Sequence, residues 1–185
     1  DMGGLHVTLS GGEAFLHKDL MEICRYCRKK DLKISILSNL ISLKEEQIST
    51  LKEVSLSLIQ TSLYSMDPKI HDFITTVPGS HAKTKAAIEL LVKNDIPVQI
   101  SCPIMKANRK GYTDVLEYAK GLKIKAQTDY IMMAQADFDT NNLANRISIE
   151  ETEELLRDII EHDIDYKKMV EEKPPVSDFI AFDLE

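Results

Sequence analysis

The chain has 185 residues, 23 Lys and Arg against 30 Asp and Glu for a formal net charge of −7, 43% apolar residues and no tryptophan. That profile is expected of a globular chain with room for one domain and a substantial core, and too short for two full ones. No apolar run reaches the ~18 residues of a membrane span and no signal-peptide pattern opens the chain, while three cysteines, an odd number, suit free thiols in a cytoplasmic compartment better than a disulfide framework.

The charge is uneven: residues 147–185 carry thirteen acidic side chains against four basic ones, and residues 1–146 are close to neutral. A neutral body lacks the electrostatic footprint of a nucleic-acid binder, so a small-molecule or peptide partner is expected instead.

In chain order, Leu5 to Ser10 alternates as a strand, and Lys18 to Lys30 places Leu20, Ile23, Cys24 and Cys27 at helical spacing. Ile34 to Ser38 is a second strand, followed by a helix from about Lys44 with Ile48, Leu51 and Val54 inward; Ser55 to Ser62 is a third strand. After a long connection, Ser80 is the expected N-cap of a helix through Val92. Strand Val98 to Met105, helix Tyr112 to Lys120 and strand Ile124 to Met133 repeat the unit. Ser148 and Glu151 form a capping-box pair opening a helix from Ile149 to His162, and Lys173-Pro174-Pro175 reads as a breaker beyond it. The division expected is a barrel core over 1–146 and an acidic helix and connector over 147–185.

Five strands each followed by a helix predict an α/β fold with parallel pairing, either an open sheet or a partial (β/α) barrel. Both place their chemistry at the C-terminal strand ends. Those ends read Ser10-Gly11-Gly12-Glu13, Ser38-Asn39, Thr61-Ser62, Lys106-Ala107-Asn108 and Ala134-Gln135. Consecutive glycines let a ligand approach the main chain, and Glu13 beside them suits an ammonium group. The pattern is neither the dinucleotide fingerprint nor a P-loop.

The run Leu9 to Leu16 with Asp19-Leu20 resembles the second strand and Gly-Gly-Glu motif of the radical S-adenosylmethionine (SAM) enzymes, in particular the SPASM-type peptide maturases and the enzyme of pyrroloquinoline quinone synthesis. Ile36 to Leu40 is similar to the next strand, where the family usually has Thr-Asn-Gly. Ser62 to Pro68, His71-Asp72 and Pro78-Gly79-Ser80 resemble the following strand and its connection, and Pro97 to Asn108 the one after. The resemblance covers about residues 4 to 146 and implies a partial barrel binding SAM across its strand ends. By it, Gly11, Gly12 and Glu13 hold the methionyl ammonium, Ser62 reaches the ribose or carboxylate, Ser38, Asn39 and Asn108 line the cavity, and backbone from Tyr130 to Met132 meets the adenine. It also implies a 4Fe-4S cluster that reductively cleaves SAM to a radical abstracting a substrate hydrogen, the substrate being a peptide or peptide-derived cofactor precursor.

The family holds its cluster with Cys-x-x-x-Cys-x-x-Cys upstream of Gly-Gly-Glu, and these residues contain no such motif. The expectation is a fragment of a longer enzyme, inactive alone, whose exposed first strand invites dimerisation; a degenerate, non-catalytic peptide- or SAM-binding module is the alternative. Cys24-x-x-Cys27 on the apolar stripe of a helix and Cys102 on a strand are expected as core thiols. Adjacent His71 and Asp72 do not face each other on a helix, which predicts a structural role. Met132-Met133 is expected to pack the barrel.

Overall fold

The computed structural model describes residues 5–133 and 140–162, together with 168 and 171. The chain divides into two compact units, Asp1–Arg146 and Ile147–Glu185. In the first, β1 (His6–Leu9), α1 (Leu20–Lys29), β2 (Lys33–Leu37), α2 (Ile48–Glu53) and β3 (Leu58–Ser62) lead into a helical pair, α3 (Pro68–Thr75) and α4 (Ser80–Lys93), then β4 (Val98–Pro103), α5 (Tyr112–Gly121) and β5 (Lys125–Asp129). The five strands form one sheet in the order β1-β2-β3-β4-β5, every neighbouring pair parallel. This is the expected α/β architecture.

Sequential order joined by right-handed crossovers puts the helices on one face. The side chains agree: Ile34, Ile36, Ile59 and Ile100 alternate onto that face and are almost wholly buried, against Leu51, Ile88, Leu91 and Val115 of the helices. Cys24, Cys27 and Cys102 are buried in the same layer as expected. Each buried Ile or Leu side chain contributes roughly 1.5–3 kcal/mol.

Strands are shorter than the alternation predicts because local hydrogen bonds end them. β3 starts at Leu58, since Ser55 takes a left-handed turn (φ 50°). β4 stops at Pro103 and not Met105, because the Asn108 side chain turns the chain by accepting from Met105 N and donating to the Pro103 carbonyl. β5 stops at Asp129, whose carboxylate accepts from Ile131 N at 2.8 Å. The chain thus leaves the sheet before Met132-Met133, and Met133 is 78% exposed, which corrects the expectation that it packs the barrel.

The long connection contains a helix that the periodicity missed. Asp67 caps α3 by accepting from Lys69 N, with Pro68 at the first helical position. Ser80 is not the N-cap of α4: Gly79 (φ 79°) holds that position. Asp72 supplies the capping carboxylate from α3, accepting from Gly79 N (2.6 Å), Ser80 Oγ (2.9 Å) and His81 N (2.9 Å). These bonds, the backbone ones first, hold the Asp72 carboxyl below its ordinary value. His71 points elsewhere and accepts from Tyr64 N at 3.2 Å. The pair is structural, as its adjacency predicts.

In the second unit, α6 (Ile149–His162) opens on the predicted capping box: Glu151 N donates to Ser148 Oγ and Ser148 N to the Glu151 carboxylate. Lys173-Pro174-Pro175 lies outside the described residues.

Candidate functional site

Gly11 and Gly12 follow β1 after Ser10, and a Cβ built on either meets no atom within 4 Å beyond its chain neighbours. Open space lies over that main chain. Glu13 closes the turn, its Oε1 accepting from Phe15 N (2.9 Å) and Ser38 Oγ (2.6 Å) and its Oε2 from Asn39 N (2.9 Å). One carboxylate therefore fastens the loop after β1 to the loop after β2. A carboxylate has about four lone-pair directions, so one remains for a ligand cation.

The β2 loop is fixed from its other side. Leu40 N donates to Ser38 Oγ (2.8 Å) and Thr84 Oγ1 of α4 donates to the Asn39 carbonyl (3.0 Å). Leu40 is 1% exposed at φ 64°, a left-handed conformation unfavourable for a bulky residue. Burial of its side chain holds the loop in that shape.

Between these loops a cleft of about 220 Å³ is lined by Ser10, Gly11, Gly12, Ser38, Asn39 and Ser62, with Gln60 and Ser101 also contributing. A larger cavity, about 550 Å³, lies at the opposite end of β3–β5 around Ile96, Pro97, Val98 and Ile124. Parallel α/β sheets carry their chemistry at the C-terminal strand ends, which selects the smaller cleft.

Of the residues anticipated from sequence, the fold thus gathers Gly11, Gly12, Ser38, Asn39 and Ser62 around one cleft, with Glu13 clamping its loops. Asn108 is not in the lining. It is 1% exposed, donating to the Tyr64 and Pro103 carbonyls and accepting from Met105 N, so it shapes the ends of β3 and β4 from beneath. Tyr130 and Met132 follow β5 at the far edge of the sheet. Gln60 and Ser101 were missed. Their signal was polar residues at alternate positions of central parallel strands, which ordinarily read apolar on both faces.

The thiols do not fit an iron–sulfur cluster. Cys24 and Cys27 lie on α1 and Cys102 on β4, all buried. Burial pushes Cys102 up to about 12, and burial plus the neighbouring Cys27 push Cys24 up to about 11, so both stay protonated. Among the described residues no group of three His, Cys, Asp or Glu side chains could hold a metal.

The radical SAM superfamily model matches residues 1–119. An AdoMet-dependent heme synthase of Methanosarcina barkeri is 32% identical over 63% of this chain and 33% of its own length. A PqqA peptide cyclase of Methylocella silvestris is 27% identical over 66% of the chain and 33% of its own. Streptococcus suis SuiB bound to its precursor peptide SuiA superposes with a TM-score of 0.70 at 16% identity, covering 90% of this chain and 36% of SuiB; SuiB bound to S-adenosylmethionine gives 0.64 at 17%. The chain spans about a third of the length of these relatives, and its five-stranded sheet is the partial-barrel fold that they share. The family match, joined to the ordered Gly-Gly-Glu and Ser-Asn loops around the cleft, places this chain in the radical SAM superfamily.

Proposed function

We propose that this chain is the SAM-binding part of an enzyme that reductively cleaves SAM to modify a peptide or peptide-derived cofactor precursor in the cytoplasm. The observation that carries it is the cleft at the C-terminal strand ends, where the Gly11-Gly12 main chain is open and Glu13 locks its loop to Ser38 and Asn39. Gly11, Gly12, Ser38, Asn39 and Ser62 would hold SAM, the spare lone pair of Glu13 would face its ammonium, and backbone from Tyr130 to Met132 would meet the adenine. Bound SAM supplies the hydrogen-abstracting chemistry of the family, while these residues bind, orient and keep water out.

The three thiols here are not the cluster ligands, so the 185 residues alone do not cleave SAM. Anaerobic reconstitution with iron and sulfide tests this, with 5′-deoxyadenosine release as the readout. The full reading frame that carries this chain releases it and the 185 residues do not. Release by the 185 residues alone overturns the proposal, and a full reading frame that binds SAM without cleaving it marks a non-catalytic module. β1 lies at one edge of the described sheet, pairing only with β2, and such an edge recruits a second copy. Light scattering of the isolated chain then reports a dimer; a monomer at high concentration counts against it.

A further inference from the structure

The larger cavity, at the N-terminal ends of β3–β5, adjoins a second hollow of about 290 Å³ beside the end of α2, and the two share Asp95, Ile96 and Pro97. Together they form one shallow groove with an apolar floor. Leu56 and Ile96 lie buried beneath it, and Pro97, Leu122 and Ile124 come to its surface exposed or half-buried. Neighbouring strands are about 4.8 Å apart, so a floor spanning β3 to β5 is about 10 Å wide, close to the diameter of one helix with its side chains.

The charge of this groove is one-sided. Lys52 lies in the last turn of α2, Lys123 in the turn between α5 and β5, and Lys125 opens β5, against Asp95 as the one carboxylate in the lining. No carboxylate of the described residues forms an ion pair with these three lysines. Lys52 and Lys123 follow the ordinary preference for cations at helix C-termini; Lys125, the first residue of a strand, has no such reason. Exposed apolar surface rimmed by unpaired charge suits a protein partner of opposite sign, and a lysine stem can lie along an apolar floor while its ammonium reaches a carboxylate. Lasting interfaces are depleted of lysine, whereas all three lysines here stand exposed at the rim, so the occupant comes and goes. The lining holds no arginine fork and no aromatic ring to stack a base, which disfavours a nucleic acid.

We infer that this groove is a transient docking surface for an acidic amphipathic helix of a partner protein. The apolar stripe of that helix lies on the floor from Leu56 to Ile124, and its carboxylates meet Lys52, Lys123 and Lys125. The cleft at the opposite strand ends stays open while the partner is bound.

The test is an NMR titration of the full chain with a synthetic helical peptide carrying leucines on one face and glutamates on the other, read at the Ile96, Leu122 and Ile124 amides. A matched peptide with lysine in place of glutamate and a single-stranded oligonucleotide are the controls. The acidic peptide moves these amides, its affinity falls as salt rises, and Lys123→Glu with Lys125→Glu weakens it about ten-fold. Both controls leave the amides in place. Equal shifts from the lysine peptide or the oligonucleotide overturn the inference, as do amides unmoved by the acidic peptide. Shifts that grow with protein concentration before any peptide is added put a second copy in the groove and also overturn it. The remaining arm is hydrogen exchange at these amides in the full reading frame: the acidic peptide slows it, and no slowing means that the parent's own residues cover the groove, which overturns the inference too.

Discussion

Two buried residues of the β2–β3 region are out of step with ordinary rules, and each makes a measurable claim. Thr61 Oγ1 is buried with no hydrogen-bond partner among the described residues. An unsatisfied hydroxyl costs about 1–3 kcal/mol, so Thr61→Val, which keeps the shape, raises stability by about 1 kcal/mol in urea unfolding; a loss of stability would show that the hydroxyl is paired. Leu40 occupies a left-handed position where the family motif usually has glycine. At an ordinary helix or strand site Leu→Gly is worse than Leu→Ala by roughly 0.5–1 kcal/mol. Here the order reverses: Leu40→Gly is less destabilising than Leu40→Ala by about 1 kcal/mol, because glycine alone takes this conformation without strain. None of this was legible in the sequence, since Ser-Asn-Leu looks like a simple departure from Thr-Asn-Gly. Glu13 stood out in the sequence, and its structural work did not. The motif pointed to a ligand cation, while the fold gives its carboxylate three internal donors. Glu13→Ala therefore raises hydrogen exchange at the Phe15 and Asn39 amides; unchanged protection there would contradict the clamp.

At the scale of elements, α3 and α4 hang on two adjacent side chains that diverge. Asp72 caps α4, and His71 receives Tyr64 N at the end of β3, its ring 5.5 Å from that of His81. Burial first, then His81, lowers His71 from 6.5 to about 4, with Asp72 opposing; burial also lowers His81. A histidine held neutral in the fold binds its proton more readily when unfolded. Stability is therefore full above pH 6.5 and falls as pH drops toward 4, by on the order of 3 kcal/mol for His71. Unfolding between those pH values should show this loss, and His71→Phe should flatten it; a wild-type curve already flat there would contradict the buried neutral ring. Alternation and capping signals revealed the strands, α1, α5 and the Ser148 box because each rests on local sequence. They missed α3, whose Asp67-Pro68 start was present but whose Phe73 is 70% exposed and blurs the apolar stripe. They also misplaced the α4 cap, because the capping carboxylate comes from eight residues before Ser80. Strand ends ran long for the same reason: Asn108 and Asp129 stop them through side-chain bonds that periodicity does not encode.

For the whole molecule, one organising fact is the asymmetry of the sheet. One face is closed by helices and apolar; the other mixes polar side chains such as Gln60, Ser62 and Ser101 with Leu37 and Leu58 and leads to the cleft between Gly11-Gly12 and Ser38-Asn39. The acidic −7 is a property of the second unit, so the cleft sits in a nearly neutral body, which suits the zwitterionic SAM proposed for it. The family was legible in an ordered series of short motifs, and the three cysteines, all spent in the core, were legible as the wrong thiols for its cluster. The most direct measurement is an amide-resolved NMR titration of the full chain with SAM. Shifts are expected to cluster at Gly11, Gly12, Ser38, Asn39 and Ser62, with an affinity weaker than micromolar because no cluster iron is supplied by these residues. Amides of that cleft unmoved at millimolar SAM, or shifts gathered instead at the cavity around Ile96 and Pro97, would contradict it.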